Sequence, residues 1–164
     1  MPIKNEKIFI LDIEKCDGCG ECVNVCSLAH FKVETAKHSR IRIEEFPDGN
    51  LCVPILCQAC ADALCIKVCP VNARVKLANG AVVTDEDTCI ACRTCVYVCP
   101  IGAPVENPDS GKLMTCDRCV DDGDILPCVQ ACHKQQALKF IDARDIQRTT
   151  VRESASKLRN GFKR

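Results

Sequence analysis

The chain has 164 residues, 22 basic and 22 acidic side chains, 17 cysteines, five Phe, one Tyr and no Trp. That length suits one compact domain or two small fused ones, and so few large apolar side chains exclude an ordinary aromatic-rich core. No apolar stretch approaches the ~20 residues of a membrane span, so no membrane-spanning helix is expected.

In chain order, Met1 to Lys7 carries both acid and base and leads into a short apolar run. No secretory pattern and no twin-arginine pair is present, so the sequence reads as cytoplasmic. Thiols stay reduced there, and a dense cysteine set reads as metal ligands rather than disulfides. Ile8 to Ile13 is the first strand candidate.

The first cysteine group follows: Cys16-Asp-Gly-Cys19-Gly-Glu-Cys22-Val-Asn-Val-Cys26. Arg40-Ile41-Arg42-Ile43-Glu44 then alternates with period two, as a half-exposed strand does. Cys52 stands alone in a Leu-Cys-Val-Pro run and reads as a small buried apolar side chain. The second group is Cys57-Gln-Ala-Cys60, Cys65 and Cys69-Pro70. Arg74 to Val83 reads as a hairpin turning at Asn79-Gly80.

The third group is Cys89-Ile-Ala-Cys92-Arg-Thr-Cys95-Val-Tyr-Val-Cys99-Pro100, and the fourth is Cys116-Asp-Arg-Cys119, Cys128 and Cys132. Ala137 to Ile141 is a further strand candidate. Residues 142–164 form a basic tail. Thr150 and Glu153 make a capping-box pattern there, and Val151, Ala155, Leu158 and Phe162 fall on one helical stripe.

Four groups of four ligands account for 16 of the 17 cysteines, and internal repetition of this kind sets an architecture. Two-residue gaps let a tight loop wrap an inorganic cluster, point three thiolates at three irons and aim backbone N–H groups at sulfur. A three-residue gap then carries one helical turn and aims the fourth thiolate at the other cluster of a pair, as in two-cluster bacterial ferredoxins. Pro70 and Pro100 end that turn. Zinc ribbons also use C-x-x-C pairs, but seldom the triplet with a fourth Cys three residues on. The expectation is four 4Fe–4S clusters.

Strand, cluster loop, half-helix, strand is the ferredoxin repeat, here doubled. The chain resembles the four-cluster ferredoxin subunits of multisubunit oxidoreductases, from about Ile8 to Ile141. These include subunits of formate dehydrogenases, dimethyl sulfoxide reductase, tungsten aldehyde oxidoreductases, hydrogenases and carbon monoxide dehydrogenase. The resemblance implies an α+β fold, a duplicated two-cluster ferredoxin over 1–141, to which the capping box and apolar stripe add a helical tail over 142–164.

It further implies that the second and third groups pair within 57–100, and that 16–26 pairs with 116–132. One cluster is then held by Cys57, Cys60, Cys65 and Cys99, and its neighbour by Cys69, Cys89, Cys92 and Cys95. A third falls to Cys16, Cys19, Cys22 and Cys132, and the fourth to Cys26, Cys116, Cys119 and Cys128. Ser27 and His133 stand where the family often has Pro, which predicts a looser outer pair. The long Asp- and Gly-containing gap from Cys119 to Cys128 is a candidate docking loop.

Histidines do not complete a ligand set that is already all cysteine. His30 is expected to hydrogen-bond backbone or cluster sulfur, and His38 to be solvated. No Gly-rich phosphate loop follows a strand, and basic residues do not interleave with aromatics. Nucleotide, flavin and nucleic acid are therefore not expected ligands, and no catalytic residue is assigned.

From Lys139 onward there are eight basic and three acidic residues, a balance of +5, so the preceding body carries −5. Four clusters would add about −8 to that body. A basic striped tail on an acidic body predicts docking to a catalytic subunit or to another copy; head-to-tail copying would build a filament. The expected function is electron relay within a larger oxidoreductase. The family resemblance implies a tungsten or molybdenum enzyme acting on an aldehyde or formate as the catalytic partner, with a flavin- or nicotinamide-binding subunit as a further one. The alternatives are a free polyferredoxin carrier, or a hydrogenase or carbon monoxide dehydrogenase subunit.

Overall fold

The computed structural model describes residues 7–47, 51–120, 126–132, 136–146, 148, 151–152 and 155–156. The first strand, β1 (Lys7–Leu11), pairs antiparallel with the last, β8 (Leu138–Asp142), in the register Lys7↔Asp142 and Phe9↔Phe140. The ends of the cluster-binding region are thus clipped together. Phe9 is the buried residue of its strand, and its ring centroid lies 4.8 Å from that of Phe140.

Three more two-stranded ribbons follow among the described residues. The segment β2 (Arg42–Phe46) pairs with β3 (Leu51–Ile55), and β4 (Arg74–Lys76) pairs with β5 (Val82–Thr84). The shortest ribbon joins β6 (Val105–Glu106) to β7 (Leu113–Met114). The β4–β5 hairpin forms at the expected turn, where Ala81 N–H donates to the Asn79 side chain at 2.9 Å. Two-stranded ribbons are marginal alone in water, so these depend on what they pack against.

Helices supply that packing: α1 (Glu21–Phe31), α2 (Leu64–Lys67), α3 (Thr94–Tyr97) and α4 (Pro127–Ala131). α1 packs on α4, and α2 on α3. α2 and α3 stop at once because Pro70 and Pro100 follow their last cysteines and cannot continue a helix. α1 meets Ser27 at the equivalent position and runs on to Phe31.

The expectation of a looser outer pair at Ser27 is not met. Ser27 is 0% exposed, its hydroxyl donates to the Val33 carbonyl at 2.6 Å, and it accepts from Thr35 N–H at 3.4 Å. Ser27 thereby ties the end of α1 to the segment after it.

One apolar cluster, built on Phe9, Val23, Ile41, Leu56, Leu126 and Leu138, surrounds the cysteines of the first and fourth groups; a smaller one, with Ala73 and Leu113, surrounds those of the third. Leu56, at 0% exposure, contributes about 1.5–3 kcal/mol by burial. The halves are joined at the hairpin turn. Arg118 Nη1 donates to the Asn79 carbonyl at 2.7 Å while its guanidinium lies 5.5 Å from the Phe140 ring centroid.

Cys52 lies in β3, opposite Glu45, and is half-buried rather than buried. In the tail, residues 146, 148, 151, 152, 155 and 156 are helical and Val151 is exposed. Thr150, Glu153, Leu158 and Phe162 lie outside the described residues, as do His133 and most of the Cys119–Cys128 loop. No helix among the described residues is long and apolar enough to cross a membrane.

Candidate metal centres

The loops between paired cysteines share one backbone device. The residue just before the second cysteine of each group is left-handed: Gly18 at φ 76°, Ala59 at 50°, Ala91 at 54° and Arg118 at 61°. Three of these four are not glycine, so each loop accepts the strain of that region for the sharp turn it makes. The turn brings N–H groups onto sulfur. Ala59 N–H donates to Cys57 Sγ and Ala91 N–H to Cys89 Sγ, each at 3.4 Å.

A second device follows the fourth cysteine. Asn72 and Gly102 are left-handed at φ 54° and 61°. Their turns let Ala73 N–H reach Cys69 Sγ at 3.2 Å and Ala103 N–H reach Cys99 Sγ at 3.3 Å. In the fourth group, Leu138 N–H donates to Cys132 Sγ at 3.3 Å.

These turns bring the sixteen grouped cysteines into four separate cavities. One is lined by Cys57, Cys60, Cys65 and Cys99, and a second by Cys69, Cys89, Cys92 and Cys95. A third is lined by Cys26, Cys116, Cys119 and Cys128, and a fourth by Cys16, Cys19, Cys22 and Cys132. In every cavity three thiols come from one group and the remaining one from its partner group.

Four soft sulfur donors around an apolar hollow, with backbone N–H groups aimed at the sulfurs, suit an iron–sulfur cluster. Burial pushes the Cys22 and Cys116 thiols up to about 12, and raises Cys128 as well. Metal binding displaces those protons, so loading is coupled to their release. Cys19, Cys60 and Cys92 are exposed, whereas Cys119 is buried.

The two pairs differ in the charge around them. At the outer pair, His30 Nδ1 lies 2.9 Å from the Cys26 carbonyl and 3.9 Å from Cys26 Sγ, and its Nε2 lies 3.1 Å from Asp117 Oδ1. Arg40 also pairs with Asp117. The Asp117 carboxylate raises His30 far above the usual imidazole range, and Asp117 is itself held well below the usual carboxylate range by His30 and Arg40 against the cost of burial. His30 is thus where a sulfur-side hydrogen bond was expected. His38, expected in solvent, instead points Nε2 at the Asp109 carboxylate at 3.1 Å and lies 4.9 Å from the Phe31 ring centroid.

Asp117 and Arg40 escaped the sequence reading because their role depends on which loops meet. Arg74 escaped it too, although a comparison of groups flags it. It stands five residues after Cys69, where Pro104 stands five after Cys99, and it lines both inner cavities.

A family described as the 4Fe-4S dicluster domain matches residues 50–142. The chain belongs to that family. It is 39% identical over 159 residues to a polyferredoxin-like subunit of aliphatic sulfonate oxidoreductase from Pyrococcus furiosus, covering 93% of this chain and 89% of that protein. It is 36% identical to the B component of the anaerobic dimethyl sulfoxide reductase of Escherichia coli, covering 76% of this chain and 68% of that protein. It is 32% identical to a thiosulfate reductase electron transfer subunit of Salmonella typhi, covering 89% and 82%. This dicluster-domain chain is an iron–sulfur electron-transfer protein that binds 4Fe–4S clusters, and it is not the catalytic component of its reaction.

Proposed function

We propose that this chain is the electron-transfer subunit of a multisubunit oxidoreductase and carries four 4Fe–4S clusters, one in each cysteine-lined cavity. The observation that carries this reading is the sorting of sixteen cysteines into four quartets, each completed by one thiol from a partner group. On this reading the fold over 1–141 is a duplicated two-cluster ferredoxin, with 57–100 as the inner pair and 16–26 with 116–132 as the outer pair.

A bound 4Fe–4S cluster supplies a one-electron couple whose potential follows sulfur hydrogen bonds, charge and solvent exposure. The chain's own residues set those three quantities. The N–H groups of Ala59, Ala73, Ala91, Ala103 and Leu138 donate to ligand sulfur. Apolar side chains pack around the ligand cysteines and limit the approach of water. Cys19, Cys60 and Cys92 bring ligand sulfur to the surface, where a partner's redox centre can approach.

The partner is a tungsten or molybdenum oxidoreductase, with a flavin- or nicotinamide-binding subunit on the other side of the relay and the whole assembly in a reducing cytoplasm. Aldehyde or formate is one substrate class. A sulfur–oxygen compound is the second, because the three relatives are named for sulfonate, dimethyl sulfoxide and thiosulfate chemistry. The basic tail, 142–164, docks this chain to the catalytic subunit or to another copy.

Purification of the native complex without oxygen, through a tag on this chain, tests the assignment. Tungsten or molybdenum alongside iron is the expected result, and the co-purifying large subunit then distinguishes the substrate classes. Iron with neither metal would overturn the partner assignment. Deleting residues 142–164 without changing partner retention or oligomer size would overturn the role of the tail.

A further inference from the structure

Arg74 opens β4 and is 2% exposed. Its Nη1 donates to Thr84 Oγ1 at 2.7 Å, and its Nη2 points at Cys65 Sγ at 3.7 Å. The buried Nε has no hydrogen-bond partner among the described residues. Among those residues, no carboxylate lies within ion-pair distance of this guanidinium.

An isolated buried charge of this kind is costly unless something compensates it. A second cation site beside a cavity, Arg40 with His30, is balanced by Asp117. Arg74 has no such acid among the described residues, yet it lines both inner cavities. Pro104, at the matching place in the third group, lines one of those cavities and carries no charge. The hairpin therefore inserts one positive charge between two sites, and the repeat does not insert a second.

We propose that Arg74 is the shared counter-charge of the inner pair and holds both inner sites at a higher reduction potential than a neutral side chain would. The proposal rests on the four-cluster reading above. With four thiolates each inner site carries a net negative charge, and reduction adds one more. A cation within a few ångströms favours the more negative state, and its effect is large where water is excluded. Thr84 fixes the fork, so the charge does not swing out to solvent.

The test is a potentiometric titration of the full-length, iron-loaded chain followed by electron paramagnetic resonance, with iron counted in each sample. Wild-type protein should carry about 16 iron atoms in four reducible centres. A lower count would overturn the four-cluster reading itself, separately from the role of Arg74. In Arg74→Gln with full iron, two of the four reduction equilibria should fall about tenfold, or 59 mV for each one-electron couple, while two stay in place.

No movement, or an equal movement of all four, would overturn the proposal. Should Arg74→Gln lose iron, Arg74→Lys decides. Full iron with all four equilibria within about threefold of wild type supports a role for charge. A tenfold fall, or loss of iron in this variant too, would show that the guanidinium's shape is what the site needs.

Discussion

The inner and outer halves are each built on one C-x-x-C-x-x-C group with a fourth Cys and one variant with a longer middle gap, and they reach the same arrangement of thiols by different means. In the inner half, Pro70 and Pro100 cut α2 and α3 to four residues each, and the chain turns at Asn72 and Gly102 to aim an N–H at the fourth sulfur. In the outer half, Ser27 lets α1 run for 11 residues, and Cys26 is approached by His30 from one turn further along the helix. Charge follows the same division. Asp117 balances His30 and Arg40 in the outer half, and Glu106 pairs with Arg93 in the inner half, while Arg74 has no carboxylate within ion-pair distance among the described residues. A ligand pattern therefore specifies where thiols go, and the residue after the pattern decides what surrounds them.

The largest effect expected in either half is removal of the clusters. Separate two-stranded ribbons and short helices cannot hold together on small apolar clusters alone. Chelation of iron under reducing conditions should abolish the folded circular-dichroism signal of both halves. An apo-chain that kept its native spectrum would show that packing, not metal, holds the ribbons.

The next effect separates the halves. Ser27→Pro places proline inside α1 and removes two buried hydrogen bonds, at a cost of about 3 kcal/mol or more. Pro70→Ser should cost less than about 1 kcal/mol, because the helix is already complete there. The half-time of iron release on mild heating reads both. Equal losses would mean that the two helix endings are interchangeable.

A smaller effect concerns the first loop. A Cβ on Gly18 would sit 2.7 Å from Cys52 Sγ at a backbone φ of +76°. Ala59, Ala91 and Arg118 carry side chains at the equivalent left-handed positions, so the conformation alone does not demand glycine. Gly18→Ala should cost about 1–2 kcal/mol, and adding Cys52→Ala should restore most of it. Without rescue, the cost would belong to the backbone rather than to the contact with Cys52.

The chemistry was legible in the sequence because C-x-x-C-x-x-C with a further Cys is a ligand list written in order. Which group completes which was not legible from spacing, since it depends on segments meeting across the fold, and it entered through resemblance. The strands β1, β2, β4, β5 and β8 announced themselves by apolar runs, by period-two alternation or by Asn79-Gly80. β3 did not, because Pro54 interrupts its pattern, and β6 and β7 are two residues each. Ser27 in place of proline predicts a weakness, since a missing proline looks like a lost stop signal. In the folded chain it is a fully buried tether. Arg74 looked like an ordinary residue opening a hairpin until the hairpin was placed between two cavities.

The measurement that tests the central claim most directly is the iron and acid-labile sulfide content of the protein, purified or reconstituted without oxygen. Four quartets holding cubane clusters predict about 16 of each per molecule. About eight of each would mean that one pair of cavities binds nothing, and zinc in place of iron would contradict the assignment altogether.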